Sequence, residues 1–123
     1  MEVEGIDLFG LLGRPRLPIP TEPALARLRA ERVFITGAGG SLGSALALTL
    51  ARAGVRALGL LDHHENSLFE LRQRLAQEAP EARADFFLAD LRHRTRLERT
   101  VRPWGPTVVY HLAAFKHVPT GEE

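Results

Sequence analysis

The amino-acid sequence predicts an α/β fold, a parallel sheet of about four strands in the spatial order 3-2-1-4 with helices on both faces. Three observations carry that expectation. Short apolar, β-prone runs alternate along the chain with stretches whose apolar residues recur every three or four positions. The runs show no apolar/polar alternation, as expected of strands buried on both faces. The chain has 123 residues, 45% hydrophobic and 25% charged, which suits one domain with one core and excludes a generally disordered chain.

Residues 1–30 read as an N-terminal arm with a short helix, and residues 31–123 as the sheet-bearing domain. Pro15, Pro18 and Pro20 remove backbone donors and keep Arg14 to Thr21 out of helix, while Ile6, Leu8, Phe9, Leu11 and Leu12 need cover on the body or on a neighbouring chain. Thr21, Glu22 and Pro23 supply a capping hydroxyl, a first-turn acid and an early proline, so a brief helix carrying Leu25 and Leu28 starts there. Val33-Phe34-Ile35 is the first strand and stops at Thr36-Gly37-Ala38-Gly39-Gly40. Leu42, Ala45, Leu46, Thr49, Leu50 and Ala53 mark the next helix, with Gly54 as its left-handed stop. Ala57 to Leu61 forms the second strand, ending in Asp62. Asn66 or Ser67 is expected to cap the following helix, which carries Leu68, Leu71 and Leu75 on one face, a Glu70 to Arg74 pair on another, and closes at Pro80. Ala84 to Ala89 is the third strand, followed by Asp90. Thr95 to Arg102, with Leu97 and Val101 one turn apart, is a helix broken by Pro103 and Gly105, and Thr107 to Leu112 is the fourth strand.

The chemistry sits in the loop from Gly37 to Gly43, between first strand and first sheet helix, where a dinucleotide pyrophosphate meets free N–H groups at the positive helix end. Gly37 allows the sharp turn, Gly40 removes a Cβ that would collide with phosphate, and Gly43 lets the helix pack closely. The amides of the helix opening near Ser41 are expected to be vacant. This spacing, Gly-x-x-Gly-x-x-Gly, is the form of the short-chain dehydrogenase/reductase group and not the usual Gly-x-Gly-x-x-Gly, so a Rossmann-type domain is expected. Asp62, about 20 residues past the loop, is placed to accept both hydroxyls of an adenosine ribose, with helix capping as the alternative. An imidazolium at His63 or His64 could instead meet a 2′-phosphate, so the cofactor is read as NAD or NADP. Asp90 is placed to approach the adenine amino group or to cap a helix. Lys116, the single lysine, and His117 follow the fourth strand at the edge where open α/β sheets place ligands.

Other classes are excluded by composition. Sixteen basic against fifteen acidic residues give a net charge of +1, too balanced to advertise nucleic acid or anionic membrane as a partner. Arg92, Arg94 and Arg96 lack interleaved aromatics and read as a solvated face. The absence of cysteine removes disulfides, thiolate nucleophiles and Cys-based metal sites. His63, His64 and Glu65 lack ligand spacing for a metal. Neither a basic leader with an apolar run nor a span of about 20 apolar residues is present, so a cytoplasmic protein is expected.

Asp7-Leu8-Phe9-Gly10-Leu11-Leu12-Gly13-Arg14-Pro15, Ile35 to Ser44, Leu61-Asp62 with Glu65-Asn66, and His111-Leu112-Ala113-Ala114-Phe115-Lys116-His117-Val118-Pro119 together resemble polysaccharide biosynthesis proteins of the CapD type. These are nucleotide-sugar 4,6-dehydratases and epimerases of the extended short-chain dehydrogenase/reductase superfamily. The resemblance implies a held NAD(P) that oxidises C4 of a UDP-sugar, permits loss of water across C5 and C6, and returns the hydride. It further implies that Gly37, Gly40, Leu42 and Gly43 hold pyrophosphate, Asp62 the ribose, Asp90 and Leu91 the adenine, and that Ala113, Ala114 and Lys116 border nicotinamide and sugar. The family continues beyond Val118-Pro119 into a catalytic and sugar-binding half, and neither Tyr110, with Ala114 four residues on, nor Lys116, with Leu112 four residues before, supplies the acid/base pair. A non-catalytic NAD(P)-binding module is therefore expected, with one half of a split enzyme and a cofactor-free assembly protein as alternatives. Val108, Val109 and Tyr110 are expected on an uncovered sheet edge, and self-association to cover it.

Overall fold

A computed structural model describes residues 20–90 and 92–112. Helix α1 (Glu22–Leu28) leads into β1 (Arg32–Thr36), α2 (Ser41–Arg52), β2 (Ala57–Asp62), α3 (Glu65–Glu78), β3 (Ala84–Leu88), α4 (Arg94–Trp104) and β4 (Val108–His111). The strands pair in parallel in the order β3-β2-β1-β4, as expected. Val33 stands opposite Leu58 and Val108, which fixes the register across the three longest-buried strands.

Each face of the sheet has its own core. Val33, Ile35, Leu58, Leu60, Val108 and Tyr110 meet α2 and α3 through Leu46, Leu50, Leu71 and Leu75. On the opposite face Phe34, Leu61 and Val109 meet Leu97 and Val101 of α4. Phe34 extends sideways over Gly59, where a Cβ would fall on its ring, and reaches Phe87 at 5.6 Å and Trp104 at 5.4 Å. Among the described residues β4 is an edge strand, as expected, but its side chains are covered. Val108 and Tyr110 enter one core and Val109 the other, because alternate strand residues point above and below the sheet.

Several helix ends depart from expectation. Thr21 makes no side-chain cap bond. Helix α3 begins at Glu65, before Asn66 and Ser67, with His64 as N-cap, because Asp62 Oδ1 accepts the main-chain N–H groups of His63 at 2.7 Å and His64 at 3.2 Å and sets the turn there. Arg74 pairs with Glu78 at 3.4 Å and not with Glu70, and Arg52 of α2 reaches the same carboxylate at 3.2 Å. Helix α4 runs through Pro103 to Trp104. A proline in the last turn forfeits little, and Arg32 holds that turn by donating to Trp104 O at 2.6 Å and Gly105 O at 3.1 Å, its guanidinium 4.1 Å from the indole centroid. Gly54 and Gly105, at φ 90 and 77, provide the left-handed exits from α2 and α4.

Candidate functional site

The glycine loop is built by main-chain contacts before any ligand is considered. Gly37, at φ 73, turns the chain out of β1. Ala38 N donates to Leu61 O at 3.0 Å, which pins the loop on β2, and Gly40 N donates to Gly37 O at 3.2 Å. A Cβ on Gly43 would fall on the Gly37 carbonyl oxygen and stand 2.7 Å from Ala38 Cα, so the first turn of α2 lies directly on the loop. Gly40 has φ −76 and ψ 178, a conformation open to any residue, so the backbone there does not demand glycine.

Ser44 N is the first α2 donor with an acceptor, Gly40 O at 2.8 Å. The amides of Ser41, Leu42 and Gly43 find none among the described residues, no side chain caps them, and no acid stands in the first turn. Three N–H groups and the positive end of a helix of 12 residues thus converge without a negative partner. Leu42 is exposed beside them.

Asp62 ends β2 against this loop, 1% exposed. Its Oδ2 accepts Gly39 N–H at 2.8 Å, and its Oδ1 takes the two histidine amides already described. The carboxylate therefore shapes the loop and does not cap α3 in the expected manner. Sequence reading gave Gly39 no duty, yet a Cβ there would stand 2.6 Å from Ser67 Cβ and 3.0 Å from Asp62 Oδ2. The signal was present in the unbroken pair Gly39-Gly40. His63, 46% exposed, places Nδ1 at 3.4 Å from Asp62 Oδ1, and its ring lies 4.0 Å from that of His64.

Asp90 follows β3 and is held by its neighbour. Arg92 donates from N at 2.9 Å, Nε at 3.1 Å and Nη2 at 3.0 Å, and the guanidinium keeps the carboxyl far below the ordinary carboxylate range. It is not the N-cap of α4, which is His93. Sequence reading treated Arg92 as solvated and missed this pair.

At the carboxyl ends of β1 and β4, Thr36 Oγ1 and His111 Nδ1 lie 2.6 Å apart. Burial, with the positive field of Arg94, lowers His111 to about 4, so its imidazole is neutral near pH 7. This pair marks the crevice at which the strand order reverses, and sequence reading assigned it nothing. Tyr110 is 9% exposed within the core, and burial raises its pKa, so it offers no acid or base to the crevice. Leu91, Ala113, Ala114 and Lys116 lie outside the described residues, as does the expected signature they belong to. A wide cavity of about 990 Å³ opens at the opposite end of the sheet, where Arg52, Arg56 and Arg83 surround the C-termini of α2 and α3. Those arginines offset the negative helix ends, and the cavity is remote from the loop. Among the described residues no helix is long and apolar enough to cross a membrane, and no three His, Asp or Glu side chains converge as a metal site requires.

Four parallel strands in this order, a glycine loop opening α2 and an acid closing β2 define a Rossmann-class α/β domain of the short-chain dehydrogenase/reductase type. Within that class the chain belongs to the polysaccharide biosynthesis protein family, which residues 33–123 match. It is 32% identical over 119 residues to the capsular polysaccharide biosynthesis protein CapD of Staphylococcus aureus, covering 95% of this chain and 20% of that protein. It is 30% identical over 122 residues to "Probable polysaccharide biosynthesis protein EpsC" of Bacillus subtilis (strain 168), covering 98% and 20%. The chain thus spans about a fifth of the length of these curated relatives. Among solved structures, an NAD+-bound xylitol dehydrogenase superposes with a TM-score of 0.52 at 26% identity, over 64% of this chain and 31% of that one.

Proposed function

We propose that this chain is the NAD(P)-binding module of a nucleotide-sugar 4,6-dehydratase or epimerase of polysaccharide biosynthesis, not catalytic by itself. One observation carries the reading: three amides at the start of α2 find no acceptor among the described residues, at the same carboxyl end of the sheet as Asp62. The residues fit the group. The Ser41, Leu42 and Gly43 amides donate to pyrophosphate oxygens, and Gly40 leaves room for them. Asp62 retains lone pairs beyond its three main-chain donors, and these accept ribose hydroxyls across Gly39. Asp90 borders the adenine, with Leu91, and Ala113, Ala114 and Lys116 border the nicotinamide and sugar. When bound, the dinucleotide supplies a hydride acceptor and donor. The chain works in the cytoplasm and associates with itself. Among the described residues at the crevice, His111 is half-buried and engaged with Thr36 and Tyr110 is core-bound, which supports dependence on a further acid/base half.

The purified chain is denatured and its released small molecules are identified by mass spectrometry, and thermal unfolding is followed with NAD and with NADP. A copurified nicotinamide nucleotide or a dose-dependent rise in Tm is expected. Absence of both overturns the reading, and turnover of UDP-N-acetylglucosamine by the chain alone overturns its non-catalytic part.

A further inference from the structure

Phe69 and Leu88 are the most exposed large apolar side chains among the described residues, at 56% and 58%. They share one border of the molecule. Phe69 lies on α3, and Leu88 ends β3, an edge strand whose Phe86, two residues earlier on the same face, packs under that helix. Phe69, Leu68, Arg72 and Phe86, with Glu65 and Asn66, line a cleft of about 240 Å³. Glu65 stands four residues before Phe69 and Arg72 three after it, so acid, ring and base follow one another along a single flank of α3. Arg72 is steadied over the Phe86 ring at 4.9 Å. Among the described residues neither Glu65 nor Arg72 forms an ion pair, whereas Arg74 and Glu78 on the same helix are paired.

This flank is its own complement. Laid antiparallel on a copy of itself about a two-fold axis near Phe69, it brings Glu65 to Arg72 of the second copy at two symmetric places and leaves each phenyl ring facing the other's cleft. We propose that two copies of the chain meet on this α3 flank, through Phe69 and the reciprocal Glu65–Arg72 pairs. The proposal locates the self-association stated above, at the β3 border and not at β4, and it holds whether or not the chain binds a nucleotide.

Sedimentation velocity on the full chain without nucleotide, for wild type, Glu65→Arg, Arg72→Glu and the double variant, tests it. Wild type is expected to dimerise with concentration, each single reversal to weaken the dimer about tenfold through two broken pairs and two repulsions, and the double variant to recover most of that loss. Because the chain has no cysteine, Phe69→Cys under oxidation reports the axis independently through a disulfide-linked dimer, and it decides the matter if a charge reversal fails to fold. A monomeric wild type, a dimer indifferent to both single reversals, or a double variant no tighter than the singles overturns the proposal.

Discussion

Gly43 and Gly40 answer to different demands, and substitution separates them. At Gly43 the obstacle to a Cβ is loop backbone, which cannot swing aside, so Gly43→Ala is expected to lower unfolding free energy by about 1–3 kcal/mol in urea titrations and to abolish any NAD-induced rise in Tm. Gly40 already has an ordinary conformation, so Gly40→Ala is expected to stay within about 0.5 kcal/mol of wild type while weakening nucleotide binding. A stability loss at Gly40 matching that at Gly43 would mean that the loop, and no ligand, explains both glycines. His111 makes a prediction of opposite character. Held neutral down to about 4, it binds its proton in the unfolded chain first, at a pH near the ordinary histidine value of 6.5. The unfolded state therefore takes up more protons between those values, and stability is complete above about pH 6.5 and declines toward pH 4. The loss is on the order of 2–3 kcal/mol, and His111→Gln should flatten that part of the curve in urea titrations from pH 7.5 to 4.5.

Helix bodies were legible because burial repeats along them: Leu68, Leu71 and Leu75 line the buried side of α3 at the spacing read from sequence, and Leu97 and Val101 do so in α4. Helix ends were not, since distant groups decide them. Asp62 moves the start of α3 forward by engaging the His63 and His64 amides, and Arg32 carries α4 past Pro103 from 72 residues away. Propensity knows nothing of either. Arg32 joins three terms at the end of α4, two hydrogen bonds to final carbonyls and a stacked indole, while Trp104 Nε1 donates to Asp85 of β3 at 2.7 Å. Arg32→Ala is expected to cost about 1–2 kcal/mol, roughly 4–16 °C in Tm for a domain of this size, and to raise amide exchange in the last turn of α4. Arg32→Lys should recover only part, because an ammonium cannot bridge both carbonyls while stacking on the indole. Equal exchange in wild type and Arg32→Ala would show that Gly105 alone ends the helix.

At the scale of the molecule, the order 3-2-1-4 followed from the alternation of strands and helices, and with it the location of the site, because a sheet that grows outward in both directions from β1 opens a crevice beside the carboxyl end of that strand. Chain-distant links stayed hidden: Thr36 with His111 across 75 residues, and Gly39 with Asp62 across 23. Neither residue's type names its partner. The second link governs what the crevice should prefer. Asp62 is buried and tied to loop amides, so a ligand phosphate on the ribose 2′ position would bring two negative charges beside a carboxylate that cannot turn away, with half-exposed His63 and its neighbour His64 the nearby described imidazoles. NAD is accordingly expected to bind about tenfold more tightly than NADP in titration calorimetry at low salt, and Asp62→Asn to narrow that gap while weakening NAD through loss of the loop's charged acceptor. The described residues proposed to hold the dinucleotide all serve its pyrophosphate and adenosine side, so ADP-ribose should compete with NAD within about threefold. A far weaker ADP-ribose would place the dominant contacts beyond β4, and a preference for NADP would show that the histidines after Asp62 outweigh its charge.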